Sequence, residues 1–444
     1  MKLKALPIAA LLALTLTLTS CGDPGKFSDS EIISKEQKRD TDTAVTYNYA
    51  DGASEPPKSY NSYTNAVESL SFNMLRKKFS QQNGESFVFS PSSTALQLSL
   101  LANGASADLR KEILLSFENL TTEEINQSAS YFKSRMEEVG LPKKNERESD
   151  FDPLSAEHAS LFENLFINSG NELTSAFFKT NADFYGFNII RSDFSNNDFA
   201  QKQKNLFAEY VPNAAVGADK KSSMYSVSAV SVSDSWLVPY SRENIKDGEF
   251  NGADGKKKTS FMTSDENYLS TEKAEAVMKY TSKNPLKLLV IMPKGKTTLE
   301  DYLKLFDVAE YNSLLNSMNI KNNVKAELPQ FSVDSGSEAK PLSGILSTCG
   351  FSTLFSKDTK FKTMNIANKL KLDEMYELEP SVTISSNGIL NGASENTADI
   401  SALKSGGGDT KLNSNKTLRF DKPFIFMLVD NESNIPVYAG VYQK

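Results

Sequence analysis

Few residues in this chain have the type and spacing that chemistry requires. The one histidine, His158, lies in an alternating apolar stretch and lacks the H-E-x-x-H or paired spacing that holds zinc. Cys349 with His158 as base would make a thiol nucleophile, but no flanking signature accompanies it. A thiol at an apolar helix end is ordinarily structural. Ser335-Gly336-Ser337 lacks the strand-to-helix setting of a nucleophile elbow. Gly406-Gly407-Gly408-Asp409 is followed by no Lys-Ser/Thr pair and opens no helix, so it is no phosphate cradle. Several carboxylate pairs are conceivable, and the sequence selects none of them. The chain reads as a non-enzyme, with no metal site and no cofactor.

The elements around these residues are clearer. Tyr63–Phe79 places Val67, Leu70, Met74 and Leu75 on one helical face. Ser90-Pro91 is a cap followed by Pro at the first helical position, a helix start. Ser223–Leu237 is β-branched with period two and carries the only Trp, Trp236. Leu299–Met318 and Ala339–Cys349 read as helices. Lys325–Val333 reads as an edge or bulged strand because of Pro329. Leu378, Val382 and Ile384 alternate with polar residues, and residues 423–429 (PFIFMLV) read as a strand buried on both faces. Grouped strands with helices between them give an α+β fold with large sheets. Between the last two strands runs a polar segment from Gly388 to Leu418. Loops of that length are usually functional or disordered.

Residues 1–20 are a targeting segment: Lys2 and Lys4, then an apolar run too short to span a bilayer. Leu18-Thr19-Ser20-Cys21 resembles a bacterial lipoprotein cleavage box, which implies acylation of Cys21 and membrane anchoring outside the cytoplasm, on an outer membrane or cell surface. Residues 21–62 read as the lipidated Cys and a flexible tether. The whole chain is ordinary for a globular protein, with 39% hydrophobic and 24% charged residues. Its net charge of −7 argues against a nucleic-acid partner. With Cys21 acylated, Cys349 stands alone, so packing must hold the fold without an intrachain disulfide.

Five stretches in order resemble the serpin family across residues 63–444. They are SFVFSPSSTALQLSLLANGAS, SLFENLFINSGNELTSAFFKTNADFYGFNIIRSDFS, Trp236 with GEFNGADGKKKTSFMT, AELPQFSVDSGSEAKPLSGILSTCGFSTLFS, and FDKPFIFMLVDNESNIPVYAGVYQ. Ala439-Gly440-Val441 lacks the family's usual Arg. The resemblance implies three β-sheets, about eight or nine helices and an exposed reactive-centre loop at about 388–418. It implies a monomer that traps a serine or cysteine protease when the cleaved loop inserts into the largest sheet. Ser90, Ser93 and Trp236 fall in the region where that sheet opens. Ser228 stands where the family usually has Asn, and Leu378 where it often has His. The segment from Lys204 to Lys221, with Leu206 and Phe207, matches poorly the family's helix over the sheet. The family's spacing puts the scissile bond at Ala402-Leu403, with Lys404 as a trypsin-like alternative.

By the same register the hinge begins at Gly388. Ile389, Asn391, Ala393, Glu395 and Thr397 would point into the sheet, and Leu390 would point to solvent. A buried, unpartnered Asn391 costs about 1–3 kcal/mol, and an unpaired Glu395 several kcal/mol more. These residues support a second expectation, a non-inhibitory binding or bait protein that displays the loop.

Overall fold

A computed structural model describes residues 25–36, 55–139, 158–208, 219–282, 286–319, 322–336, 338–357, 361–365, 369–391 and 414–444. Single positions 211, 214, 216, 217, 367 and 412 are also described. Helix α1 (Tyr60–Gln81) buries Val67, Leu70, Met74 and Leu75, the stripe its spacing dictates. Asn83 and Gly84 then turn the chain through positive φ into β1 (Phe87–Phe89). Ser90 caps α2 (Pro91–Gly104), its hydroxyl accepting from the Ser93 amide at 3.4 Å. This helix is buried nearly all round, as an apolar helix without a polar face must be. Helices α3 (Ala107–Ser116) and α4 (Thr122–Val139) follow.

The middle of the chain alternates strands and short helices. It comprises β2 (His158–Asn168), α5 (Ser175–Thr180), β3 (Asn188–Ser192), α6 (Phe199–Phe207) and β4 (Met224–Ser235). Strands β5 (Ile245–Gly252), β6 (Gly255–Ser270), β7 (Ala274–Tyr280) and β8 (Leu286–Pro293) come next. The helix expected over 299–318 is two, α7 (Leu299–Leu305) and α8 (Val308–Asn316). Asp307 breaks it by capping α8, accepting from the Glu310 amide at 2.9 Å. The strand expected over 325–333 also divides, into β9 (Asn323–Pro329) and β10 (Phe331–Val333). These belong to different sheets, and Pro329 marks the switch. The remaining elements are β11 (Lys340–Pro341), α9 (Ser343–Thr348), β12 (Glu374–Leu378), β13 (Val382–Ile384), β14 (Gly388–Asn391), β15 (Thr417–Arg419), β16 (Phe424–Asp430) and β17 (Pro436–Tyr442).

The nine described α-helices surround two hydrogen-bonded sheets. One has nine strands, with β16 buried between β17 and β8 as its apolar run requires. Its β6 is shared: residues 255–262 pair with β5, 261–267 with β9 and 267–270 with β7. One long strand thus ties together what would otherwise separate, which is why three expected sheets appear as two bonded sets. The second sheet has eight strands around β4, and every residue of β4 is buried. No helix among the described residues is long and apolar enough to cross a membrane.

The stretch expected as a tether is seated on the body at residues 25–36. Ile32 bridges Ile190, and the Arg191 amide donates to the Glu31 carbonyl at 2.8 Å. The Ile189 amide donates to Ser34 Oγ at 3.1 Å. Phe27 packs its ring 6.0 Å from Phe166 and 5.9 Å from Phe199. Lys202 pairs with Glu31 at 3.2 Å. Burial raises the Glu31 carboxyl, but hydrogen bonds from Ser28, Ser192 and Lys202 together hold it below its usual range. These contacts join a second apolar cluster between the β2–β4 face and α6, separate from the main core. Helix α1 begins at Tyr60, inside the expected tether.

Candidate functional site

One side of β4 is lined by β2 along most of its length. The other side is divided. At the Met224 end, β12 runs parallel to β4, Glu374 opposite Tyr225 through Leu378 opposite Ala229. At the Ser235 end, β14 lies antiparallel, Gly388 opposite Ser235 and Ile389 opposite Asp234. Val230–Ser233 separates the two pairings. Glu379-Pro380-Ser381 carries the chain from β12 to β13 there, and Pro380 has no N–H to continue a ladder.

The hinge is therefore a hairpin already inside the sheet. β13 and β14 pair with Ile384 opposite Ile389 and Val382 opposite Asn391. Ser385 closes the turn: its amide donates to the Gly388 carbonyl at 3.0 Å, and its hydroxyl accepts from the Gly388 amide at 3.3 Å. A Cβ at Gly388 would lie 2.1 Å from the Asp234 carbonyl oxygen, so only glycine permits this approach. Trp236 locks the turn from the side. Its indole N–H donates to the Ser385 carbonyl at 2.8 Å, and its amide to the Asn387 carbonyl at 2.9 Å. Lys279 sits over the Trp236 and Tyr240 rings at 5.6 and 4.2 Å and pairs with Glu266 at 2.6 Å.

Ile389 is 1% exposed, facing the main core. Leu390, expected on the wet side, is 7% exposed, so that face of the sheet is also covered at this point. Asn391 is half-buried rather than enclosed, and its amide donates to Ser233 Oγ at 3.0 Å. Ala393, Glu395, Thr397, Ala402, Leu403, Lys404 and Cys21 lie outside the described residues. The chain re-enters where the Ser414 amide donates to Asp265 at 3.3 Å and β15 pairs parallel with β9.

Behind the closed pairing of β12 with β4 lies a buried polar cluster. Ser93 Oγ meets Ser228 Oγ at 3.2 Å, and Gln97 Nε2 donates to Ser228 Oγ at 2.6 Å. Ser226 Oγ donates to Gln97 Oε1. The Ser90 amide donates to Glu377 on β12. Lys78, 3% exposed, reaches from α1 to pair with Glu379 and lies 3.8 Å from Glu377. Burial pushes the Glu377 carboxyl up; Lys78 opposes this, and Glu379 adds to it. Of the three residues expected where the sheet opens, Ser90 and Ser93 lie in this cluster and Trp236 lies at the hinge turn, while Gln97, Lys78 and Glu377 were not anticipated. A signal existed for the first two. Gln97 interrupts an apolar helix, and Lys78 falls one turn past Met74 on the buried stripe of α1.

Over the opposite face sits α6, with Phe207 fully buried against Phe162 and Phe166 at 5.9 and 6.0 Å. Cys349 caps α9, and burial raises its thiol, the reverse of nucleophile activation. His158 begins β2 opposite Ser233. Among the described residues no group of three acidic, His or Cys side chains is placed to hold a metal ion.

A family model described as Serpin (serine protease inhibitor) matches residues 65–444. Rat alpha-1-antiproteinase is 21% identical over 396 residues, covering 86% of this chain and 89% of that protein. An uncharacterized serpin-like protein of Methanosarcina acetivorans is 21% identical over 407 residues, covering 84% and 86%. Among solved structures, the thermophilic serpin tengpin in its native state superposes with a TM-score of 0.72 at 19% identity, covering 93% of this chain and 98% of that one. Human thyroxine-binding globulin complexed with its hormone gives 0.70 at 16% identity, covering 86% and 99%.

Proposed function

Because the chain belongs to the serpin family, whose members are generally protease inhibitors, we propose that it is a suicide inhibitor of serine or cysteine endopeptidases, held on a membrane by a lipid on Cys21. The observation that carries this reading is the hinge hairpin. β14 already enters between β13 and β4, Gly388 and Ile389 pairing with β4 and Ile389 to Asn391 with β13. Cleavage of the loop would free the strand to continue between β12 and β4, where the sheet is now closed. Insertion of a new strand in the middle of a sheet gains a ladder on both sides and buries its apolar residues. The polar cluster around Ser228 and the Lys78–Glu377 pair sit where that seam must part.

The test is to incubate the soluble domain with a panel of serine and cysteine proteases. Complexes that survive SDS, and a rise in melting temperature after loop cleavage, are the expected results. Simple cleavage at Ala402-Leu403 or Lys404, without complex or thermal gain, refutes inhibition and favours the display-loop alternative. Lipidation is tested separately, by labelling with a fatty-acid analogue in a bacterial host and comparing Cys21→Ser.

A further inference from the structure

Three consecutive carbonyls of the hinge turn accept hydrogen bonds from one short stretch after β4. The Trp236 indole donates to Ser385 at 2.8 Å, the Tyr240 amide to Ser386 at 3.0 Å and the Trp236 amide to Asn387 at 2.9 Å. Between the two donor residues the chain bulges outward, leaving Leu237 62% and Val238 49% exposed. The stretch is therefore anchored inward at its two ends, where the Trp236 and Tyr240 rings are buried. The end of β7 secures the first of them. The Leu237 amide donates to the Tyr280 carbonyl at 2.9 Å, and the Ser282 amide to the Ser235 carbonyl at 2.7 Å.

One ammonium reaches both rings. Lys279 on β7 is 4% exposed, with Nζ 5.6 Å from the Trp236 ring centroid and 4.2 Å from that of Tyr240. Glu266 on β6 pins it there at 2.6 Å, and the Ser264 hydroxyl donates to the same carboxylate oxygen at 2.5 Å. Replacing a buried ion pair by apolar residues of similar volume is often neutral or stabilising, so packing does not account for the charge. A desolvated cation over two ring faces does, because it fixes both anchors of the stretch that holds the turn. We propose that Lys279 is a positioning residue which, through the Trp236 and Tyr240 rings, keeps the hinge turn seated in the sheet before the loop is cleaved. Its consequence for trapping rests on the inhibitor reading above; the seating itself does not.

Hydrogen exchange of the full chain at the Trp236 and Tyr240 amides tests it, since both donate directly to the turn. Lys279→Met alone leaves Glu266 buried without its cation. The informative variant is therefore Lys279→Met with Glu266→Gln, which removes both charges at similar volume. Its urea midpoint should stay near the parent's, while exchange at both amides should speed about five- to thirtyfold and amides in β16 stay unchanged. Lys279→Arg returns a cation to the rings and should keep the protection. Tyr240→Leu removes one ring and should also speed exchange, and adding it to the charge-free pair should bring little more. No protease takes part, so the result is decided whether or not the loop traps an enzyme. Parent-like protection in a folded charge-free pair, parent-like protection in Tyr240→Leu, or fully additive effects of the two would each overturn the proposal.

Discussion

Replacing Phe27 with Ala should detach the N-terminal segment from the body. The ring is 8% exposed, packed on Phe166 and Phe199, with Lys202 Nζ 5.8 Å from its centroid. Burying a Phe side chain contributes about 1.5–3 kcal/mol, and each aromatic pair adds about 0.5–1.5 kcal/mol. Partial collapse onto the gap recovers some of this, so the loss is about 2 kcal/mol. Ordering costs about 1–2 kcal/mol per residue, which leaves residues 25–36 only marginally docked, so one lost anchor releases most of the segment. Hydrogen exchange reads this directly at the Ile189 and Arg191 amides, whose acceptors are Ser34 Oγ and the Glu31 carbonyl. A loss of 2 kcal/mol should speed their exchange about thirtyfold and leave amides in β16 unchanged. Unaltered protection at both amides would show that the aromatic contacts do not hold this segment.

Gly388→Ala should expel the hinge, since its Cβ would meet the Asp234 carbonyl and the Ser235 Cα at 2.1 and 2.8 Å. Trp236 is the only tryptophan, so its emission should shift to the red as its indole loses the Ser385 carbonyl; an unchanged spectrum contradicts the hairpin. Lys78→Met leaves Glu377 and Glu379 without their buried cation and should cost about 3–5 kcal/mol in urea unfolding. Adding Glu377→Gln should recover part of that loss, and a single-variant loss below about 1 kcal/mol would contradict the network.

The fold was legible where local rules and tertiary demand coincide. Ser90-Pro91 starts a helix in isolation and in the protein, and the apolar run of β16 needs two covered faces and has them. The position of the hinge at Gly388 came from the family resemblance and not from the residues themselves. Contacts between distant positions were not. Lys78 and Glu379 are 301 residues apart, and Gln97 and Ser228 are 131 apart, and periodicity carries no record of either pairing. Residues 25–36 form no amphipathic element of their own. Their order comes from a surface built by Phe166, Ile190 and Phe199, so composition alone resembled a tether. Leu390 is covered where solvent was expected, because alternation assigns a residue to a face but does not reveal whether that face is covered.

The docked N-terminal segment also sets how the molecule would stand. If Cys21 carries the proposed lipid, only four residues lead from it to Gly25, a span of at most about 14 Å. A free coil from Cys21 to Tyr60 would instead average about 35 Å and let the body turn in any direction. Ile190 lies across Phe166 from Tyr225, whereas the hinge enters opposite Asp234. Nine positions of β4 separate those points, about 30 Å at a strand's rise. The body would be mounted upright, with its α6 flank towards the lipid and the hinge end held away from it, open to proteases arriving from solution.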